Sequence, residues 1–176
     1  RFMVEEIKTN TFFTAVRIEG SGAVVPVPTN TDSSSGVLYL TASTLKDGNY
    51  AAISATHTFI NTPSWVIAPA NNLGSRLILS NASGSDLNAN QAISRAETVT
   101  IMAKTLGVFG DASGASPFFD MLPSDSYFNA VMSAVSYDLI SGYPDGTFKP
   151  SGSLTRAEAM TIVARAMRFL NGKSVS

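Results

Sequence analysis

The sequence predicts an α+β chain, with an N-terminal antiparallel β segment followed by two helix–loop–helix repeats. Three observations carry that prediction. Up to His57, short runs of aromatic and β-branched residues alternate with turn residues. Beyond His57, apolar residues recur at helical spacing. The helical half also repeats itself at an offset of 61 residues, the distance from Arg95 to Arg156.

In the β half, Phe12 to Ile18 reads as a strand because aromatic and β-branched side chains suit a pleated surface. Ala23 to Val27 continues that bias, and Pro26 and Pro28, which lack an N–H for the ladder, make it an edge strand or one that leaves the sheet early. Asn30 to Gly36 has the composition of a loop, and Val37 to Leu40 returns to strand. Lys46-Asp47-Gly48-Asn49 carries the Asp-Gly chemistry of a hairpin turn, after which Tyr50 to Ser54 reads as the returning strand. Three or four short strands are too few for a closed sandwich, so this segment completes a β domain begun upstream or packs on the helical half.

In the helical half, Ile93-Ser94-Arg95-Ala96-Glu97 recurs as Leu154-Thr155-Arg156-Ala157-Glu158. The same offset maps Val99, Met102, Ala103 and Leu106 onto Met160, Val163, Ala164 and Met167, one apolar face of a helix in each copy. Upstream, Ile78 to Asn81 maps onto Leu139 to Gly142 without a shift. In the second copy, Phe128, Val131, Met132, Val135 and Leu139 form a helical stripe capped by Ser124 or Asp125 and ended by Gly142. Pro144-Asp145-Gly146 is a turn: proline pre-sets φ and glycine accepts a positive one. The predicted divisions are a β segment at 1–57, repeats at 58–112 and 113–170, and a tail or linker at 171–176.

Composition narrows the function. Twelve Lys and Arg against 13 Asp and Glu give a net charge of −1, excluding both the basic footprint of a nucleic-acid binder and an acidic solvating tail. Charged residues make up 14% of the chain, where soluble domains average about 25%, and 44% are hydrophobic. The surface must therefore be covered by Ser, Thr, Asn and Gly, which fits secreted and cell-surface proteins. The absence of Cys excludes thiolate zinc sites, thiol nucleophiles and disulfides. His57, the single His, reads as structural, since no nucleophile motif accompanies it. No motif calls for a cofactor, and neither paired carboxylates nor a nucleophile with its base points to an enzyme. The charge-free run between Asp47 and Arg76 contains Pro63, Pro69 and Gly74 and is not a membrane span. The start at Arg1 reads as a processed or truncated end.

The repeated pentad has a physical reading. Ser94 with Glu97, and Thr155 with Glu158, match a capping box, in which hydroxyl and carboxylate each satisfy a backbone N–H that the helix start leaves orphaned. Arg95 and Arg156 then fall at the first helical position, where the helix dipole disfavours a cation. Such placement points to an anion nearby, a ligand carboxylate or phosphate; the plain alternative is that each Arg pairs with a carboxylate of the neighbouring repeat or merely lies on the surface.

These residues resemble the S-layer homology domain family of bacterial surface proteins. The second copy carries Phe118-Phe119-Asp120, Tyr127, Gly142-Tyr143-Pro144-Asp145-Gly146-Thr147-Phe148-Lys149-Pro150 and Thr155-Arg156-Ala157-Glu158. The first is degenerate, keeping Trp65, Leu73 to Leu79, Gln91 and the pentad but losing the Asp-Gly-Thr-Phe loop. The resemblance implies part of a pseudo-threefold helical bundle and non-covalent anchoring of an extracellular protein to an anionic, pyruvylated secondary cell-wall polysaccharide. Carried over by motif, the polysaccharide-binding residues are Arg95, Arg156, Trp65, Asp120 and Gly142. Ser126 stands where the second copy would have its Trp, which removes a stacking surface.

Two copies leave a groove incomplete, so self-association or a third repeat is implied as a partner. The alternative function is a structural surface-layer or filament subunit. Trp65 has core packing as its plain reading, Asp120 a capping role, Asp145 a turn with calcium ligation as the alternative, and Tyr137 and Tyr143 a place between repeats. Asn81-Ala82-Ser83 fits a glycosylation sequon.

Overall fold

Strands precede helices in the computed structural model, which describes residues 2–4, 12–32, 38–43, 45–79 and 86–172. The strands are β1 (Phe2–Val4), β2 (Phe12–Ile18), β3 (Val24–Val27), β4 (Thr29–Asp32), β5 (Leu38–Ala42) and β6 (Asn49–Ala55). The helices are α1 (Ser64–Ser75), α2 (Arg95–Leu106), α3 (Phe128–Ser136) and α4 (Arg156–Leu170). The α+β class with an N-terminal antiparallel β segment is therefore observed. The chain divides into two compact units, Arg1–Gln91 and Ala92–Ser176. The 58–112 segment of the sequence repeat spans that division, with α1 in the first unit and α2 in the second.

The first unit holds two antiparallel sheets, ordered β1-β5-β4 and β3-β2-β6. β2 is the central strand of the second sheet, and Thr14 to Arg17 are buried along it. β3, with Pro26, lies at that sheet's edge as its proline requires. Two expectations are corrected. Residues 30–32 belong to a strand, not a loop: Asn30 and Thr31 pair with Thr41 and Leu40, and their exposed polar side chains suit an edge. The remainder of that tract, 33–36, lies outside the described residues, as do the 81–83 sequon and the end of the tail. The Asp47-Gly48 turn also closes no hairpin. β5 stays in one sheet, while β6 pairs with β2 from Phe12↔Ala55 to Ile18↔Asn49. Turn chemistry sets a local bend, but the long buried edge of β2 selects the partner.

Side chains tie this unit together. The Thr29 hydroxyl accepts from Ala15 N–H at 2.9 Å and donates to Val27 O at 2.7 Å, linking the sheets. Arg76, just past α1, donates from Nη1 to Thr29 O at 2.9 Å. The His57 ring meets Phe59 edge-on at 4.3 Å, and Ser75 Oγ accepts from His57 N–H at 2.8 Å.

The core of the second unit gathers Val99 of α2, Val131 and Ala134 of α3, and Phe118, Leu139 and Phe148 from the loops. α3 departs from its expected limits. It starts after Tyr127 without a side-chain cap, because the Asp125 carboxylate accepts from Leu122 N–H at 2.7 Å instead. It ends at Ser136, not Gly142: Tyr137 caps it, Asp138 beyond takes φ 54°, and Leu139 N–H returns to Ala134 O at 2.9 Å. Gly142 serves packing. A Cβ there would lie 2.2 Å from Phe118 Cε1 and 2.8 Å from Thr147 O. Gly142→Ala is expected to cost about 2–3 kcal/mol, the upper range for overpacking, read as a lower denaturation midpoint at unchanged slope.

Candidate functional site

Both expected capping boxes form. Ser94 Oγ accepts from Glu97 N–H at 3.2 Å, and Glu97 Oε2 accepts from Ser94 N–H at 2.9 Å. Thr155 Oγ1 accepts from Glu158 N–H at 3.2 Å, and Glu158 Oε2 accepts from Thr155 N–H at 2.8 Å. The caps fix where each helix begins, and so put Arg95 and Arg156 at their first positions.

The two arginines have different surroundings. Arg95 is 5% exposed. Its Nη1 pairs with Glu158 Oε1 at 3.3 Å, and Nη2 donates to Ser141 O at 2.8 Å. Its guanidinium carbon lies 4.9 Å from the Tyr143 ring centre and 5.0 Å from that of Phe148. The backbone joins in, with Arg95 N–H donating to Gly152 O at 2.8 Å and Ala96 N–H to Pro150 O at 3.0 Å. The anion beside Arg95 is thus the carboxylate of the neighbouring copy, one of the two sources its position pointed to. Arg156 is exposed and, among the described residues, has neither a hydrogen-bond nor an ion-pair partner.

Glu158 collects donors on both oxygens. Oε2 takes the Thr155 N–H and hydroxyl, and Oε1 takes Arg95 and the Tyr143 hydroxyl. The Tyr143 hydroxyl is the strongest influence, followed by Thr155 and then Arg95. Together they hold the Glu158 carboxyl down from 4.5 to about 2. Glu97, bonded within its own cap and to no other side chain among the described residues, is also lowered, first by the Ser94 N–H and then by its hydroxyl.

The other predicted site residues separate. The Asp120 carboxylate accepts from Phe148 N–H and Lys149 N–H, each at 2.8 Å, and so pins the loop that carries Phe148. Gly142 sits in that loop, and the room its missing side chain leaves is filled by Phe118. Asp145 forms the expected turn, Oδ1 accepting from Thr147 N–H at 3.0 Å and from its hydroxyl at 2.6 Å. These bonds hold its carboxyl below the usual range. Trp65, in the first turn of α1 in the other unit, is 82% exposed and so is not core. The sequence reading missed Tyr143 and Glu158 as partners of Arg95. The shared spacing within each pentad explained the Glu as a cap; a carboxylate of the neighbouring repeat was one expected partner of the Arg, but nothing singled out Glu158.

The 61-residue offset also recurs in the backbone. Leu77 and Asp138 have φ of 60° and 54°, and Asn88 and Lys149 of 51° and 57°. Ile78 N–H donates to Leu73 O as Leu139 N–H does to Ala134 O, and Gln91 N–H to Asn88 O as Gly152 N–H does to Lys149 O. Burial breaks the pattern: Val99 is 0% exposed, its counterpart Met160 62%, and Val163, Met167 and Leu170 of α4 are exposed as well.

Comparison with known proteins places these features. Residues 117–160 match the S-layer homology domain family. The chain is 41% identical over 86 residues to cell surface glycoprotein 1 of Acetivibrio thermocellus, covering 47% of this chain and 4% of that protein. It is 31% identical over 87 residues to a surface layer protein of Brevibacillus choshinensis, 48% of this chain and 8% of that one. It is 37% identical over 81 residues to a cellulosome-anchoring protein of A. thermocellus, 44% of this chain and 18% of that one. The chain thus spans less than a fifth of the length of these curated relatives. No solved structure matches it significantly.

Two measurements test the geometry. Arg95→Ala is expected to cost about 3 kcal/mol by chemical denaturation, because it opens a buried, charged contact. The Glu158 carboxylate adds stability that is complete above pH 4.5 and fades as pH falls toward about 2, since its folded value lies below its unfolded one. In Glu158→Gln the melting temperature is therefore expected to fall less steeply across that window than in the wild type.

Proposed function

We propose that this chain, which carries an S-layer homology domain at residues 117–160, is an extracellular, cell-wall-associated binding module that anchors its parent protein non-covalently to an anionic wall polysaccharide. The domain match and relatives named for surface layers and anchoring support the cell-surface role. Residues 58–112 are read as a second, degenerate copy of the domain, on the strength of the shared pentad and backbone geometry. The module is assigned no chemistry of its own and needs no cofactor.

One observation carries the polysaccharide reading: Arg156 stands exposed and, among the described residues, unpaired at the start of a capped helix. At the equivalent position Arg95 is matched by a carboxylate, a carbonyl and two ring faces, which illustrates the chemistry this position accommodates. A carboxylate-bearing sugar, such as a pyruvylated one, fits Arg156 in the same way. Exposed Trp65 offers the flat apolar face on which a sugar ring stacks. Arg95, Asp120 and Gly142 act from behind, holding the loop from Ser141 to Lys149 in place.

A second reading, self-assembly, is favoured by α4. Met160, Val163, Met167 and Leu170 leave an apolar stripe exposed where the matching face of α2 is covered. A third repeat completing a pseudo-threefold bundle, or another copy of the chain, would cover it.

Sedimentation with isolated cell walls tests the anchoring. The chain is expected to pellet with untreated walls and to stay in solution once the polymer has been extracted. Arg156→Ala is expected to bind walls about tenfold more weakly, the effect of one charge-assisted hydrogen bond, with an unchanged melting temperature. Equal binding to extracted walls would refute the polysaccharide role.

A further inference from the structure

The first unit contains a cleft to which the repeat supplies the Asn88–Gln91 turn but which the candidate binding residues leave unused. It is an open surface depression of about 270 Å³, lined by Asn61, Asp86, Asn88, Ala89, Asn90 and Gln91. Apart from one alanine, every lining side chain is an amide or a carboxylate. Among the described residues, no lysine, arginine, histidine or aromatic ring joins the lining.

The polar groups are held in place. Ile60 and Asp86 form a parallel β-bridge that joins the two segments bearing the cleft. Asp86 Oδ2 accepts from Asn61 Nδ2 at 3.0 Å and Oδ1 from Asn88 N–H at 2.9 Å, which lowers the carboxyl from its ordinary value. Gln91 N–H donates to Asn88 O at 2.8 Å, closing the turn that presents Ala89 and Asn90. Asn61 and Asn88 both take φ of 51°, in the left-handed region that asparagine tolerates better than most residues.

This inventory selects a class of ligand. With one fixed carboxylate and no cation among its lining residues, the cleft repels phosphates and acidic sugars. Calcium takes six to eight oxygen ligands and favours several carboxylates, whereas the cleft supplies one carboxylate, both of whose oxygens already accept N–H bonds. Side-chain amides donate and accept at once, and Asp86 accepts only. Neighbouring hydroxyl groups, each both donor and acceptor, complement that set. The volume lies just below the range of pockets for drug-sized ligands, about 300–1,000 Å³, and suits one sugar ring.

We infer that the Asn61–Asp86–Gln91 cleft is a subsite for an uncharged, hydroxyl-rich sugar residue, separate from the acid-binding position at Arg156. The inference rests on the anchoring reading and deepens it: the bound polymer would present neutral units as well as acidic ones, and the cleft would take a neutral one.

The test is a titration of the 15N-labelled chain with glucose, N-acetylglucosamine, glucuronate and calcium chloride, followed by NMR. Either neutral sugar is expected to shift the side-chain amide signals of Asn61, Asn88, Asn90 and Gln91, with a Kd of about 1 mM, a typical weak single-ring affinity. Asn90→Ala/Gln91→Ala is expected to weaken that binding at least about fivefold with an unchanged melting temperature, since among the described residues no other hydrogen bond depends on those two side chains. Amides that respond to neither neutral sugar, that respond equally in the double variant, or that respond only to calcium or more strongly to glucuronate would overturn the inference. Wall sedimentation separates the two proposals. Wild-type chain that fails to pellet with walls sinks the anchoring reading alone, because the titration is scored without walls. Sugar-insensitive amides sink the cleft alone and leave the Arg156 result standing.

Discussion

A guanidinium buried among a carboxylate, a carbonyl and two aromatic faces organises the second unit. A charge removed from water is tolerable only where its hydrogen bonds are met. Arg95 meets that demand at both terminal nitrogens, though its Nε has no hydrogen-bond partner among the described residues, by drawing together three stretches distant in sequence: the start of α2, the loop from Ser141 to Phe148, and Glu158 in the first turn of α4. Each stretch is already shaped for the purpose. The Thr155 cap orients Glu158, Asp120 pins the backbone of Phe148 and Lys149, and Gly142 leaves the space Phe118 fills. The hydrophobic core and the ion pair therefore specify the same loop conformation, one from each side.

The same pentad serves two ends. At Arg95 its carboxylate partner comes from the next copy of the motif within the chain; at Arg156 the chain supplies none among the described residues. Identical local chemistry thus yields a structural clamp in one copy and an open cationic position in the other. The apolar face follows the same division, Val99 being covered and Met160 bare. In the proposed function these unmet groups are what the module offers to its surroundings, a guanidinium toward acidic sugar and an apolar stripe toward protein.

Local signals were legible wherever a residue acts through its own backbone. Ser94, Glu97, Thr155 and Glu158 announced their caps, Asp145 its turn, and Pro26 its edge strand, because each interaction closes within a few residues. Signals failed where the partner lies far along the chain. The Asp-Gly pair at 47–48 marked a bend, yet β6 found β2 in place of β5. Thr29 to Asp32, too polar to read as a strand, became one through pairing with β5. Gly142 read as a helix stop, but the helix ends at Ser136 and the ring of Phe118 fills the space beside Gly142. The Asn61–Asp86 cleft had no motif to give it away, since its two sides come from segments 25 residues apart joined by a single bridge.

The α+β class, the duplicated segment, its helix starts and the family resemblance were all determined by the sequence alone, because periodicity and capping are properties of neighbouring residues. Only the tertiary structure decided which arginine is buried and which is open, and which strand pairs with which. Those outcomes depend on desolvation and packing between distant segments, and a motif that keeps its Arg, Ala and Glu and exchanges only Ile for Leu and Ser for Thr does not encode the difference in its surroundings.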